Sequence, residues 1–142
     1  MLTVEKVSLL ASVEMFARVP SAVLASLAGV MAERQVTAGD VVMTKGEPGD
    51  ALFVVVDGSL RAHSGERILA TMGPGSVIGE LALLDPAPRA ASVTADEDSL
   101  LLVLAKEDFD LVMTDHPELS EGVIRYLVRF VRAGTAPTGS TA

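Results

Sequence analysis

Cysteine and tryptophan are missing from this 142-residue sequence, and histidine occurs only at His63 and His116. Without cysteine the chain has no disulfide and no thiolate chemistry, so the composition does not indicate an oxidising or a reducing compartment. Two histidines so far apart are too few for the His and Glu cluster of a cupin-type metalloenzyme. Ser92 and Ser99 have no histidine placed in the pattern to activate them. The sequence therefore predicts neither a catalytic site nor a metal site.

Positive charge is also scarce, because 11 lysines and arginines stand against 19 acidic residues, which gives a net charge of −8. Such a charge argues against binding a nucleic-acid polymer, which requires a basic surface. No apolar run reaches the roughly 18–20 residues of a membrane span. The N-terminus, with Glu5 and Lys6, lacks the pattern of a signal peptide. We therefore expect a soluble, cytoplasmic protein, and 49% hydrophobic residues are enough for the core of one domain.

The first 34 residues have the apolar spacing of helices. Apolar residues recur every three positions from Thr3 to Ala17, which predicts an amphipathic helix. These residues are Val4, Val7, Leu10, Val13 and Phe16. Pro20 interrupts the pattern, and Ser21 is a candidate N-cap for a second helix. We predict a helical segment over residues 1–34 that serves mainly in packing.

From Gln35 onward the sequence changes to short apolar segments separated by turns that contain glycine. The predicted strands are Val41–Lys45, Leu52–Val56, Leu60–His63, Arg67–Met72, Ala91–Ala95 and Leu100–Leu104. Gly46, Gly49 and Gly58 lie in the turns, where they let the chain reverse. Short strands at regular spacing with such turns predict an antiparallel β-roll, or jelly roll, over residues 35–105.

After Lys106 the helical period returns. Asp108–Thr114 is predicted as a short helix, and Pro117 suits the first position of a longer helix that ends near Ala133. Residues 134–142 contain mainly Gly, Thr, Ser, Pro and Ala, which is typical of a flexible tail. The prediction is thus one mainly β domain, with N-terminal helices (1–34), the roll (35–105), two C-terminal helices (106–133) and the tail (134–142).

Residues 79–93, within the predicted roll, combine features that suit a sugar phosphate. Gly79 permits close approach of a backbone or a ligand, and Glu80–Leu84 is predicted as one helical turn, whose first N–H groups favour an anion. Arg89 can add a bidentate, charge-assisted clamp on the same anion. Glu80 can accept hydrogen bonds from a sugar hydroxyl, and the small residues Ala90 and Ala91 leave room for a ligand.

This stretch resembles the phosphate-binding cassette of the cyclic nucleotide-binding domain, the module of cAMP-dependent kinase regulatory subunits, catabolite activator protein and cyclic nucleotide-gated channels. The family pattern, roughly G-E-L-A-L-L-x-x-x-P-R-A-A-S/T-V, is met from Gly79 to Val93, including the nine-residue offset from Glu80 to Arg89. The order and number of the predicted strands are also similar to the family's roll. The likeness covers residues from about Leu9 to Ala133 and is most specific over 73–93.

The resemblance implies a role for several of these residues. Glu80 would hold the ribose 2′-hydroxyl, the N–H groups of Leu81 and Ala82 would meet the cyclic phosphate, and Arg89 would pair with an exocyclic phosphate oxygen. The N–H of Ala90 would add a further bond, and its methyl group favours cAMP over cGMP, because cGMP-dependent kinases tend to carry threonine there. The ligand-binding set implied in this way is Gly79, Glu80, Leu81, Ala82, Arg89, Ala90, Ala91 and Ser92.

Family members often close the site with the last helix, whose side chain stacks on or clamps the purine. Arg125, Tyr126 and Arg129 are the candidates for such a base cap, since arginine and tyrosine both stack on a π-face. Packing for the tyrosine and a solvated helix face for the arginines are the alternatives.

The sequence leaves two hypotheses for the function. In the first, the chain is a regulatory module that binds a cyclic nucleotide, cAMP or possibly cGMP, and couples this to movement of its C-terminal helix. It would need no cofactor, and its effector domain or partner protein would lie outside this sequence. In the second, the chain is a ligand-free structural or protein-interaction β-roll. Homodimerisation through the helices is an additional hypothesis.

Overall fold

The computed structural model describes residues 1–135, which separate into two compact units. One unit is helical and consists of residues 1–31 and 107–135. The other contains all the strands and consists of residues 32–106. The predicted fold class, an antiparallel β-roll with helices before and after it, is confirmed.

The β unit contains ten short strands in antiparallel pairs. They are β1 (Ala32–Val36), β2 (Val41–Met43), β3 (Pro48–Gly49), β4 (Ala51–Asp57), β5 (Leu60–Ser64), β6 (Arg67–Met72), β7 (Val77–Ile78), β8 (Ala87–Pro88), β9 (Ser92–Ala95) and β10 (Ser99–Ala105). One sheet has the order β1-β10-β4-β7 and the other has β2-β9-β5-β6, while β3 and β8 form a separate two-stranded ribbon.

Alternating and continuous apolar strands provide the core of the roll. β4 and β10 lie at the centre of their sheet and are buried along most of their length, as their continuous apolar sequences require. Their inward side chains pack with residues of β2, β5 and β9 in one cluster, whose largest members include Phe53, Leu60, Ile78 and Leu101. The roll therefore provides a rigid frame for the loop between β7 and β8.

The strands differ from the predicted ones in number more than in position. The predicted strand Arg67–Met72 has its predicted bounds, and the others agree to within about two residues. Four strands, β1, β3, β7 and β8, were missed, however. The last three have two residues each and carry no periodicity. The roll begins with β1 at Ala32 rather than after Gln35. This strand was not predicted because it is mostly exposed and polar.

The helical unit contains α1 (Thr3–Ala11), a 3-10 turn (Glu14–Phe16), α2 (Ser21–Val30), most of α3 (Lys106–Asp115) and α4 (Pro117–Ala133). The prediction of one helix from Thr3 to Ala17 is wrong. α1 ends at Ala11 because the Ser12 hydroxyl donates to the Leu9 carbonyl at 2.6 Å and Val13 is extended. Val13 and Phe16 are still buried, so the three-residue rhythm reflects burial through a 3-10 turn.

Two helix starts can be compared with their predicted caps. Ser21 is the first residue of α2 and Pro20 occupies the N-cap position, so the prediction that Ser21 is the cap is wrong. α4 begins at Pro117 and ends at Ala133, as predicted, and Gly134 closes it in the left-handed conformation. The predicted tail lies mainly outside the described residues.

Candidate functional site

The loop between β7 and β8 starts with a glycine that no other residue could replace without strain. Gly79 has a φ of +77°, and a Cβ there would overlap the Arg89 guanidinium and lie 2.9 Å from the Ala51 carbonyl oxygen. A 3-10 turn, Glu80–Leu83, follows. Within it, the Ala82 N–H donates to the Gly79 carbonyl at 3.0 Å. The predicted helical turn is thus present, in a tighter form and with Leu84 as its last, flanking residue.

Arg89 lies inside the β unit although it is charged, with only 6% of its surface exposed. Its Nη2 donates to the Ala51 carbonyl at 3.1 Å, and its guanidinium carbon lies 5.8 Å from the centre of the Phe53 ring. Its backbone is also held, since the Arg89 N–H donates to the Glu47 carbonyl at 2.8 Å. These contacts give the planar guanidinium a defined orientation.

Two opposing effects act on the Arg89 charge. Burial lowers the pKa of the guanidinium below its ordinary value, and the negative charge of Asp50 raises it in part. Burial acts in this direction because it removes water from the protonated side chain.

Gly49 explains how Arg89 reaches its position. A Cβ at Gly49 would lie 2.7 Å from Arg89 Nε and 2.8 Å from Arg89 Cζ, so a side chain here would displace the guanidinium. Gly49 belongs to β3, which pairs with β8 immediately before Arg89. The turn composition around Gly49 predicts a chain reversal alone and does not indicate this contact. No sequence signal distinguishes the two, because the contact spans 40 positions.

The other candidate residues are distributed around this centre. Glu80 is 3% exposed, which is unusual for a carboxylate and excludes the alternative of a solvated surface charge. Ala82 and Ala91 are buried, Leu81 is partly buried and Ala90 is exposed. The Ser92 hydroxyl accepts the Lys45 N–H at 2.9 Å, which gives this side chain a structural task.

Lys106, which the sequence analysis did not select, also contacts the loop. Its ammonium donates to the Leu83 carbonyl at 2.8 Å, at the end of the 3-10 turn. Its backbone N–H donates to the Asp50 carbonyl, also at 2.8 Å. Nothing in the local sequence marks this residue, since a lysine at a strand end is ordinarily solvent-exposed.

The three base-cap candidates belong to the helical unit and are brought together there. Tyr126 is buried and its ring meets Phe130 edge-on at 4.9 Å. Arg129 forms an ion pair with Glu14, and its guanidinium carbon lies 5.7 Å from the Tyr126 ring centre. Arg125 is exposed and lines a cavity of about 430 Å³ with the other two. Tyr126 and Arg129 therefore have packing and pairing partners within their own unit.

The part of the chain that the structure describes holds no group of three His, Asp or Glu side chains that could bind a metal ion. None of its helices combines the length and the hydropathy of a membrane-spanning segment.

Comparisons with known proteins point to one family. The sequence pattern of the cyclic nucleotide-binding domain matches residues 33–116. The chain is 32% identical over 129 residues to a CRP-like cAMP-activated global transcriptional regulator of Mycobacterium tuberculosis, covering 87% of this chain and 58% of the regulator. It is 37% identical over 113 residues to a cyclic nucleotide-gated potassium channel of Mesorhizobium japonicum, covering 80% of this chain and 31% of the channel. It thus spans about a third to somewhat over half of the length of these relatives.

A solved structure agrees with this result. The N-terminal domain of a transcriptional regulator from Streptomyces coelicolor A3(2) is similar with a TM-score of 0.83 and 34% identity, over 89% of this chain and 92% of that one. The likeness therefore includes residues on both sides of the matched pattern.

Proposed function

The chain belongs to the cyclic nucleotide-binding domain family, and from this premise we propose that it is a regulatory module whose ligand is cAMP. The observation that carries the proposal is the buried Arg89 guanidinium, held against Gly49 and Gly79 beside the 3-10 turn. An arginine in a fixed orientation beside such a turn suits the charge-assisted binding of a phosphate.

In the proposed complex, Arg89 pairs with an exocyclic phosphate oxygen and Glu80 accepts from the ribose 2′-hydroxyl. The N–H groups of Leu81, Ala82 and Ala90 complete the phosphate contacts. Since the Ala82 N–H donates to the Gly79 carbonyl at 3.0 Å, a phosphate that binds this N–H must share or replace that bond. We therefore expect the 3-10 turn to rearrange when the nucleotide binds.

The preference for cAMP rests on Ala90. This residue is exposed beside Arg89, where a threonine hydroxyl could meet the guanine amino group and a methyl group cannot. cAMP has roughly 22 non-hydrogen atoms, and at about 0.3–0.4 kcal/mol each they give about 7–9 kcal/mol, or a Kd in the micromolar range.

The output of the module is also a proposal. Nucleotide binding would shift the C-terminal helix between two positions and so act on an effector domain or partner protein. Arg125 and Arg129 are exposed and Tyr126 is buried, and Tyr126 and Arg129 would first have to leave their present partners. We propose a regulatory role without catalysis, and a location in the cytoplasm.

Calorimetric titration with cAMP and then cGMP tests the proposal. The protein is first unfolded and refolded to remove carried ligand, whose purine would dominate the 260 nm absorbance because the chain has no tryptophan and one tyrosine. We expect micromolar or tighter binding of cAMP and weaker binding of cGMP. The absence of binding for both nucleotides would contradict the proposal and favour the alternative, a ligand-free interaction module.

A further inference from the structure

The helical unit contains an arginine-rich cavity, whose lining includes the three cap candidates together with Arg18 and Arg132, which the proposed function does not use. Its volume is about 430 Å³, within the range of ligand and peptide sites. It lies between one face of α4 and the N-terminal segment that contains the 3-10 turn Glu14–Phe16. Four arginines line it, and Glu14 is the one acidic residue among the lining residues. The arginines are Arg18, Arg125, Arg129 and Arg132.

Three of the four arginines form no ion pair with the residues that the structure describes. Glu14 pairs with Arg129, and no acidic side chain within residues 1–135 forms an ion pair with Arg18, Arg125 or Arg132. This is notable in a protein with a net charge of −8. Like charges that converge without internal partners repel one another, so an external anion would stabilise them.

The arginines are spread along the helix rather than gathered at one point. Arg125 and Arg132 are seven residues apart on α4, or about 10 Å along the helix axis. Carboxylates at several positions of a polypeptide can pair with arginines that are spaced in this way. Val128 adds apolar surface to the lining. We propose that this cavity docks an acidic segment of a partner polypeptide.

Fluorescence anisotropy with a labelled peptide of ten glutamates tests the docking site. The refolded chain is titrated at low and at moderate salt, and sedimentation is measured in parallel. The test variant is Arg18→Gln/Arg132→Gln, which leaves the cassette and the cap candidates intact. The matched control is Arg67→Gln, an exposed arginine on β6. A chain of net charge −8 repels this peptide elsewhere on its surface, so any saturable binding is informative.

We expect salt-sensitive binding that weakens at least tenfold in the double variant and is unchanged in Arg67→Gln. Absence of binding, or equal weakening in both variants, would overturn the proposal. Binding of ATP or inorganic phosphate without peptide binding, lost in the double variant, would also overturn it and indicate a small-anion site. Loss of a dimer in the double variant, without peptide binding, would instead assign the cavity to contact between copies.

A second, independent observation concerns Lys106. Its ammonium donates a hydrogen bond to the Leu83 carbonyl at the end of the 3-10 turn Glu80–Leu83. Its backbone N–H donates to the Asp50 carbonyl. Asp50 directly precedes Ala51, whose carbonyl accepts from Arg89. One residue thus connects the turn with the strand end that positions the guanidinium. On the basis of the proposed function, we infer that Lys106 is a positioning residue for the phosphate site.

Lys106→Met, Lys106→Arg and the matched control Lys45→Met, whose lysine donates to Ser64 in the same unit, test this role. In the ligand-free protein, the amide resonances of residues 81–85 are expected to shift in Lys106→Met and to return toward wild type in Lys106→Arg. With cAMP, the Met variant should bind five- to tenfold more weakly and show a changed ³¹P shift of the bound nucleotide.

Unchanged amide resonances and unchanged affinity in Lys106→Met would overturn the positioning role. A loss of affinity that Lys45→Met reproduces would also overturn it, because the effect would then be general. If the wild type binds no cyclic nucleotide, the proposed function fails, while the amide resonances still decide whether Lys106 positions the turn.

Discussion

Arg89 is a charged residue that the fold buries. The cost of this burial is reduced by the Ala51 carbonyl, the Phe53 ring and the nearby charge of Asp50. These contacts fix the orientation of the guanidinium. Because a side chain that is held in one orientation loses little entropy on binding, we expect Arg89 to serve in binding as well as in stability.

The first prediction at the residue scale is the effect of Arg89→Ala on affinity. Loss of a charge-assisted clamp should cost about 2–3 kcal/mol, or roughly 30- to 150-fold in the Kd for cAMP. The Kd is measured by calorimetry, and a thermal melt checks that the roll remains folded. Arg67→Ala, at an exposed arginine of β6, is the control. Equal affinity of Arg89→Ala and wild type would exclude the clamp.

Gly49→Ala tests the packing that holds the guanidinium. The added methyl group would lie 2.7 Å from Arg89 Nε, and relieving such overpacking costs about 1–3 kcal/mol. We expect weaker cAMP binding, because the side chain moves from its position. Gly73→Ala is the matched control, since a Cβ there meets nothing within 4 Å. If the two variants bind cAMP alike, Gly49 has no part in orienting Arg89.

At the scale of elements, α4 has an exposed apolar stripe as well as its arginines. Ile124, Val128 and Val131 follow one another at four- and three-residue spacing, with 58%, 38% and 79% of their surfaces exposed. This spacing places them on one face of the helix, and such a face is typical of a helix that packs against a second helix. The stripe supports the hypothesis that the chain dimerises through its helices.

We predict that Ile124→Glu/Val131→Glu weakens such a dimer, since two charges would enter its apolar contact. Analytical ultracentrifugation over a range of concentrations measures the effect. Ile68→Glu, at an exposed apolar residue of β6, is the control. A wild-type chain that remains monomeric at high concentration would refute dimerisation through α4.

At the scale of the whole molecule, a ligand that binds only the folded state stabilises it. With cAMP at 100 times its Kd, the free energy of unfolding should rise by about 2.7 kcal/mol. For a chain of this size this corresponds to a Tm increase of roughly 10 °C. Scanning calorimetry with cAMP, and with the open-ring 5′-AMP as control, measures the increase. An equal increase with both nucleotides would argue against recognition of the cyclic phosphate.

The sequence by itself determined the fold class and the position of the cassette. Strand periodicity, glycine turns and the fifteen residues 79–93 are local patterns, and local backbone preferences are read from neighbouring residues. The bounds of β6 and α4 follow for the same reason. The three-residue rhythm of residues 4–16 made the predicted α1 too long. The α-helix ends at Ala11, but the buried positions continue at the same spacing through the 3-10 turn that follows.

Only the tertiary structure decided how the site is held together. The Arg89 guanidinium is anchored on a carbonyl 38 residues away, and the Lys106 ammonium on one 23 residues away. The ribbon β3-β8 places Gly49 against Arg89, and packing within the helical unit buries Tyr126. These contacts form only when each unit folds. A local sequence pattern does not indicate which distant residues folding brings into contact.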